Sequence, residues 1–207
     1  KYYNKGTKNE IHVINNTTLE FESTGLVCLL GESGSGKTTL LNVMSGIDKY
    51  ASGTIKVDGE VLKCNAVNSE PIKNNKFGYV FQNYYMLDNE TVYENLRLAL
   101  APYHLSEDEI KSRINYVLDA VKMSKYIKRK LKNLSGGQAQ RIAIARALVK
   151  SPDVIFADEP TGNLDPKTSM EVMEVLKAIN ELGTTIIMVT HDISIVNTLK
   201  KRTIVLD

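Results

Sequence analysis

Three features of the sequence predict an α/β fold built on a mainly parallel sheet. Apolar runs at 26–30, 154–157, 185–189 and 203–206 are too continuous for half-exposed strands, and read as strands covered on both faces. Helix starts and stops fall between them, so strands and helices alternate along the chain. The 207 residues are 43% hydrophobic and 24% charged, enough to bury a sizeable core and too apolar for disorder.

The elements follow in order. Residues 11–14 and 19–21 carry β-type residues in alternation and are predicted to be strands. The buried strand 26–30 runs into a Gly-rich turn, then a helix over 39–44 closed by Gly46. Residues 51–81 read as short strands with turns at Ser52-Gly53 and Asp58-Gly59, an antiparallel β subdomain; 63–76 is polar and predicted to be a loop, and 78–81 a further strand. Residues 90–132 read as mostly helical. There Ser106-Glu107-Asp108-Glu109 is a capping box, followed on one helical face by Ile110, Ile114, Val117, Leu118 and Val121. A helical subdomain inserted at about 88–133 is expected. A helix over 138–150 precedes the strand 154–157. Asp165-Pro166 opens another helix and Gly183 ends it.

Composition excludes several classes. With 26 Lys and Arg against 24 Asp and Glu, the net charge of +2 gives no global pull toward nucleic acid or an anionic membrane. No apolar run is long enough to span a bilayer, and the first residues do not form a signal peptide. Cys28 and Cys64 are too few for a disulfide framework or metal knuckle, and read as small hydrophobes. Without an initial Met, and ending just after an apolar run, residues 1–207 are expected to be a single domain cut from a longer chain.

Gly31-Glu32-Ser33-Gly34-Ser35-Gly36-Lys37-Thr38 fits G-x-x-x-x-G-K-[ST], between a buried strand and a helix as that motif requires. Its backbone N–H groups, with the helix N-terminus at Thr39, suit the phosphates of a nucleotide. Lys37 is placed to reach the β- and γ-phosphates and the Thr38 hydroxyl to ligate Mg²⁺. Asp158 and Glu159 end a buried strand, where open α/β sheets bind ligands. Asp158 is the candidate to hold Mg²⁺, and Glu159 to orient or deprotonate the attacking water. His191 follows the next buried strand and is placed to hydrogen-bond the γ-phosphate and brace Glu159. Gln82 ends the strand 78–81; its amide can ligate Mg²⁺ or hold the water.

Leu134-Ser135-Gly136-Gly137-Gln138, followed by Ala139-Gln140-Arg141, resembles the signature motif of ATP-binding cassette (ABC) ATPases. It is a second N–H-rich helix start suited to an anion. The resemblance implies that two cassettes pack head to tail, each signature covering the ATP on its partner's phosphate loop. In family order Gln82 resembles the Q-loop, Asp158-Glu159 the Walker B end, Thr161-Gly162-Asn163-Leu164-Asp165 the D-loop and His191 the switch histidine. Tyr3 resembles the aromatic residue that stacks on adenine, with Tyr2 a neighbouring alternative. The string from Ala157 to Asp165 resembles a subgroup of macrolide-exporter, lipoprotein-releasing, cell-division and antimicrobial-peptide-resistance ATPases. Ala139 departs from the second Gln of many relatives, and the strand that normally precedes the aromatic residue is absent. The resemblance implies hydrolysis of ATP with Mg²⁺ at the cytoplasmic face of a membrane. It also implies a partner cassette, identical or not, and a permease touching 83–104, separate or fused. Export or extraction is implied; alternatives are mechanical signalling of the cell-division type or a soluble ABC ATPase. No nucleic-acid partner is expected. The basic run Lys122, Lys125, Lys128, Arg129, Lys130 and Lys132 reads first as a solvated face.

Overall fold

The computed structural model describes residues 1–62 and 75–206. Most of the predicted loop 63–76, and Cys64, lie outside them. The chain begins with a two-residue antiparallel ribbon, β1 (Tyr2–Tyr3) with β2 (Ile11–His12). β3 (Leu26–Gly31) leads through the Gly-rich turn into α1 (Lys37–Met44). A second ribbon pairs β4 (Lys56–Val57) with β5 (Glu60–Val61) around the turn at Asp58-Gly59. β6 (Phe77–Val80) precedes α2 (Val92–Leu100) and α3 (Glu107–Ala120). Then come α4 (Gly136–Leu148), β7 (Val154–Asp158), α5 (Pro166–Glu181), β8 (Thr185–Thr190), α6 (Ile193–Leu199) and β9 (Arg202–Leu206).

β6, β7, β8, β3 and β9, in that spatial order, form one parallel sheet. Side chains alternate across a strand, so the sheet separates two cores. Ile155, Ala157, Ile186, Met188 and Cys28 face a core shared with α2–α5. Phe156, Ile187, Val189, Leu29 and Phe77 face a smaller one shared with Leu40 and Leu41 of α1. Both faces being covered explains the continuous apolar runs. Burial pushes the Cys28 thiol up to about 11, so it stays a neutral hydrophobe.

Local signals set the helix ends. Ser106 and Glu109 form the predicted reciprocal capping box of α3. Asp165 caps α5 by accepting from the Thr168 N–H, with Pro166 in the first turn, and Gly183 follows its end at φ 105°. The α2–α3 excursion closes on itself: N–H groups of Val92 and Tyr93 donate to Arg129 and Ile127, and those of Leu131 and Lys132 to Glu90 and Asp88.

Three expectations are corrected. Residues 19–21 are not a strand. Leu19 and Phe21 pack against the smaller core, and the Glu20 carbonyl accepts from Arg202 instead of a ladder partner. α1 starts two residues before Thr39, because Gly36 at φ 87° lets the helix begin at Lys37. α4 starts at Gly136 rather than 138, because Ser135 is its N-cap.

Candidate active site

Parallel pairing aligns the C-terminal ends of β3, β8 and β7: Leu30 lies opposite Thr190, and Asp158 opposite Val189. The phosphate loop, Asp158-Glu159 and His191 therefore emerge side by side, with Gln82 just beyond β6 at the next position.

The loop is an array of donors. Gly34 and Gly36 stand at φ 89° and 87°, where glycine is favoured. Lys37 is buried, and its Nζ donates to the Glu32 carbonyl at 2.5 Å, bent back over the loop with no carboxylate partner among the described residues. α1 has no side-chain cap, so its first N–H groups lack acceptors. The Ser35 hydroxyl is buried in the same turn without a hydrogen-bond partner among the described residues. A buried ammonium, uncapped amides and an orphaned hydroxyl fit a phosphate anion. Glu32, Ser33 and Gly34 line the exposed rim.

Thr38 Oγ1 donates to Asp158 Oδ1 at 2.9 Å, joining α1 to the end of β7. Burial raises the Asp158 pKa and the adjacent Glu159 adds to this; the Thr38 hydrogen bond and the Lys37 charge oppose it. A carboxylate disfavoured in its charged form gains from a nearby cation. Among the described residues no three of His, Cys, Asp and Glu cluster as a metal cage. Mg²⁺ needs none: one carboxylate, a hydroxyl and an amide oxygen beside substrate phosphates suit it.

Glu159 has φ 45°, in the left-handed region at a non-glycine residue. Such a conformation costs on the order of 1–3 kcal/mol and is typical of functional sites. Its N–H donates to the Val189 carbonyl at 3.1 Å, and its carboxylate meets His191 Nδ1 at 2.8 Å. The Glu159 side chain is 15% exposed and that of His191 61%, so the imidazole covers the acid from the solvent side. Gln82 pairs with Asn163: its Nε2 donates to Asn163 Oδ1, and Asn163 Nδ2 donates to the Gln82 carbonyl, both at 3.4 Å.

Tyr3 reaches α1, its hydroxyl 3.5 Å from Thr39 Oγ1 and donating to Asp48 at 3.1 Å. Tyr2 is instead stacked on His12 with ring centroids 3.9 Å apart. The Leu134–Gln138 segment stands apart: no hydrogen bond or ion pair joins it to the phosphate loop among the described residues. Ser135 Oγ accepts from the Gln138 N–H, Gln138 Oε1 accepts from the Ser135 N–H, and Gln138 Nε2 donates to the Tyr126 hydroxyl. Gly136 and Gly137 lie against Leu164 and Thr168, and Asp165 between those two caps α5.

Arg146 is a site residue that sequence reasoning missed. Half-buried on α4, it donates to the Tyr84 carbonyl at 2.8 Å and to that of Tyr85. Both tyrosines have left-handed φ, 58° and 47°, so two carbonyls turn to one guanidinium just after Gln82. The available signal was a lone cation inside the small, apolar run Ile142-Ala143-Ile144-Ala145-Arg146-Ala147-Leu148. In the segment 83–104, Tyr85, Leu87 and Leu98 are exposed, whereas Met86 and Tyr93 pack on the helical core. Lys122, Lys125, Lys128, Arg129, Lys130 and Lys132 are all exposed. No helix among the described residues is long and apolar enough to cross a membrane.

These features define an α/β site in which donors that fit a phosphate lie beside a carboxylate braced by a histidine. The family model "ABC transporter" matches residues 14–162. The chain is 39% identical over 203 residues to the cell division ATP-binding protein FtsE of Bacillus subtilis, covering 98% of this chain and 89% of that protein. It is 37% identical over 193 residues to the macrolide export ATP-binding/permease protein MacB of Aggregatibacter actinomycetemcomitans, covering 93% of this chain but 30% of that protein. Against the methionine import ATP-binding protein MetN of Clostridioides difficile it is 37% identical, spanning all of this chain and 63% of that protein. Among solved structures, the dimeric bacterial ABC transporter cassette MJ0796 matches at TM-score 0.87 and 35% identity, over 100% of this chain and 90% of that one. Its post-hydrolysis state bound to ADP and Pi matches at TM-score 0.82 and 36% identity, over 94% of this chain and 86% of that one. The chain belongs to the ABC transporter ATP-binding family and is an ATP-binding ATPase domain of that type.

Proposed function

We propose that this chain binds Mg²⁺-ATP on the loop 31–39 and hydrolyses it within a head-to-tail pair of cassettes. The pair drives a membrane permease from the cytoplasmic face, for export or extraction. The observation that carries the reading is the convergence of Lys37, Thr38–Asp158 and Glu159–His191 at adjacent strand ends. Mg²⁺, when bound, neutralises phosphate charge and is held by Thr38, Asp158 and Gln82.

The chain's own groups do the rest. Amides of the loop and Lys37 bind the phosphates, and Tyr3 stacks on the base. Glu159 accepts the proton of the attacking water while its hydrogen bond to His191 holds the carboxylate in position. The Leu134–Gln138 helix start, unengaged with its own loop, caps the partner's nucleotide, and Asp165 lies beside it at that interface. Exposed Tyr85, Leu87 and Leu98 form the permease contact within 83–104.

Glu159→Gln keeps the shape and removes the base. ATP affinity is expected to stay within about twofold, with turnover down by roughly 10²–10⁴ in a radiolabelled ATP assay. Unchanged turnover removes Glu159 from the chemistry. Ser135→Arg is expected to abolish cooperative hydrolysis while leaving monomer nucleotide binding intact; surviving cooperativity overturns the head-to-tail pair.

A second reading has its own support. The chain is 39% identical over 203 residues to the cell division ATP-binding protein FtsE. Under it the same engine transmits force through its membrane partner without moving a substrate. Transport assayed with the co-purified membrane partner separates the two.

A further inference from the structure

We propose that Asn163 is a positioning residue that fixes which end of the Gln82 amide is free, leaving its oxygen for the metal ion. This rests on the reading that Gln82 ligates Mg²⁺. The assignment follows from donor and acceptor chemistry. A main-chain carbonyl can only accept, so the Asn163 atom facing the Gln82 carbonyl at 3.4 Å is Nδ2. That makes Oδ1 the other end of the Asn163 amide, and Oδ1 can only accept. The one Gln82 side-chain atom able to donate to it is Nε2, which lies 3.4 Å away. Gln82 Oε1 then has no partner among the described residues. It is the only atom of that amide a hard cation can use.

The neighbouring glycine makes room for this arrangement. A Cβ on Gly162 would sit 2.9 Å from Gln82 Nε2 and 3.4 Å from Glu159 Cβ. A bare backbone therefore lets the amide lie directly on the turn that follows Glu159. The Gly162 N–H donates to the Glu159 carbonyl at 3.0 Å, closing that turn. Asn163 thus ties Gln82, just beyond β6, to the loop carrying the proposed base. It is exposed, so truncating it leaves the core untouched.

The test uses Gln82→Ala, Asn163→Ala and the double variant in the full-length chain, purified with its native partners. Mn²⁺ dissociation is read by electron paramagnetic resonance with a saturating non-hydrolysable ATP analogue. Analogue affinity is measured separately in EDTA. Gln82→Ala is expected to weaken Mn²⁺ binding, Asn163→Ala to weaken it by about two- to tenfold, the size of one neutral hydrogen bond. The double variant is expected to match Gln82→Ala alone, because the pair acts as one unit. Affinity in EDTA is expected to stay unchanged throughout. If Gln82→Ala leaves Mn²⁺ binding intact, the metal role of Gln82 falls and this inference with it. If Gln82→Ala weakens Mn²⁺ but Asn163→Ala does not, or the two losses multiply, Asn163 does not position Gln82. A loss of analogue affinity in EDTA for Asn163→Ala overturns it equally, since the effect would then be general rather than through the metal.

Discussion

Gly137 sets how closely α4 approaches α5, and adding one methyl group tests that approach. A Cβ at Gly137 would lie 2.2 Å from Thr168 Cγ2, against 3.4 Å or more for ordinary contact. Something must therefore yield by about 1.2 Å, from 2.2 to 3.4 Å. Thr168 cannot easily turn aside. It is β-branched, so its χ1 is stiff, and its N–H is held by the Asp165 cap at 3.1 Å. Overpacking of this kind costs about 1–3 kcal/mol. The better helix propensity of Ala returns up to about 1 kcal/mol. A net loss near 1–2 kcal/mol predicts a melting temperature lower by roughly 2–8 °C for Gly137→Ala in a domain of this size. Calorimetry on the nucleotide-free protein reads it. Adding Thr168→Ser removes the offending methyl and keeps the hydroxyl, so the double variant is expected to recover wild-type stability. Full stability in Gly137→Ala, or no recovery with Thr168→Ser, refutes the close-approach argument.

Two further changes probe the site through stability. Arg146→Lys replaces a fork that serves two carbonyls with a single ammonium, and is expected to lower stability by about 1–3 kcal/mol in urea titration and to speed amide exchange at 83–87; unchanged exchange there removes Arg146 as the anchor of that turn. Asp158 has a pKa raised chiefly by burial, so its charge costs stability above the unfolded pKa, and the cost disappears as pH falls below both values. Asp158→Asn is therefore expected to melt higher than wild type at pH 7 without nucleotide, with the gap closing toward about pH 4, and to lose Mg²⁺-dependent hydrolysis; a lower melting temperature at pH 7 contradicts the sign.

The sheet was legible because its strands are apolar on both faces, and the helix ends because caps such as Ser106–Glu109 and Asp165–Pro166 are local. Leu19 and Phe21 were misread for a related reason. Alternation reports which side chains meet a core, not whether the backbone finds a ladder, and the Glu20 carbonyl found Arg202 instead. The phosphate loop and Asp158-Glu159 are contiguous strings, whereas Arg146 with Tyr84 and Asn163 with Gln82 are separated by 62 and 81 residues. Each of those side chains alone reads as a surface group. Only the fold shows that it answers carbonyls turned out by left-handed residues, or the other amide of a reciprocal pair.

The helix N-termini carry one further argument about the site. α2, α3, α5 and α6 each place a carboxylate at the positive end of the helix: Glu94, Glu107 with its neighbours, Asp165 and Asp192. α1 and α4 have no carboxylate at the N-cap or in the first turn. In α1 the first intrahelical donor is Leu40, leaving the amides of Lys37, Thr38 and Thr39 for the phosphates of its own site. In α4 the box between Ser135 and Gln138 consumes two donors, and the first intrahelical donor is Ala139. The amides of Gly136 and Gly137 remain, at an exposed serine, with a helix dipole behind them and no acid to neutralise it. Among the described residues no anion engages them. A helix start left electropositive yet rigidly self-capped is prepared for a negative group brought by another molecule, which supports a nucleotide shared across two cassettes over one enclosed by a single chain.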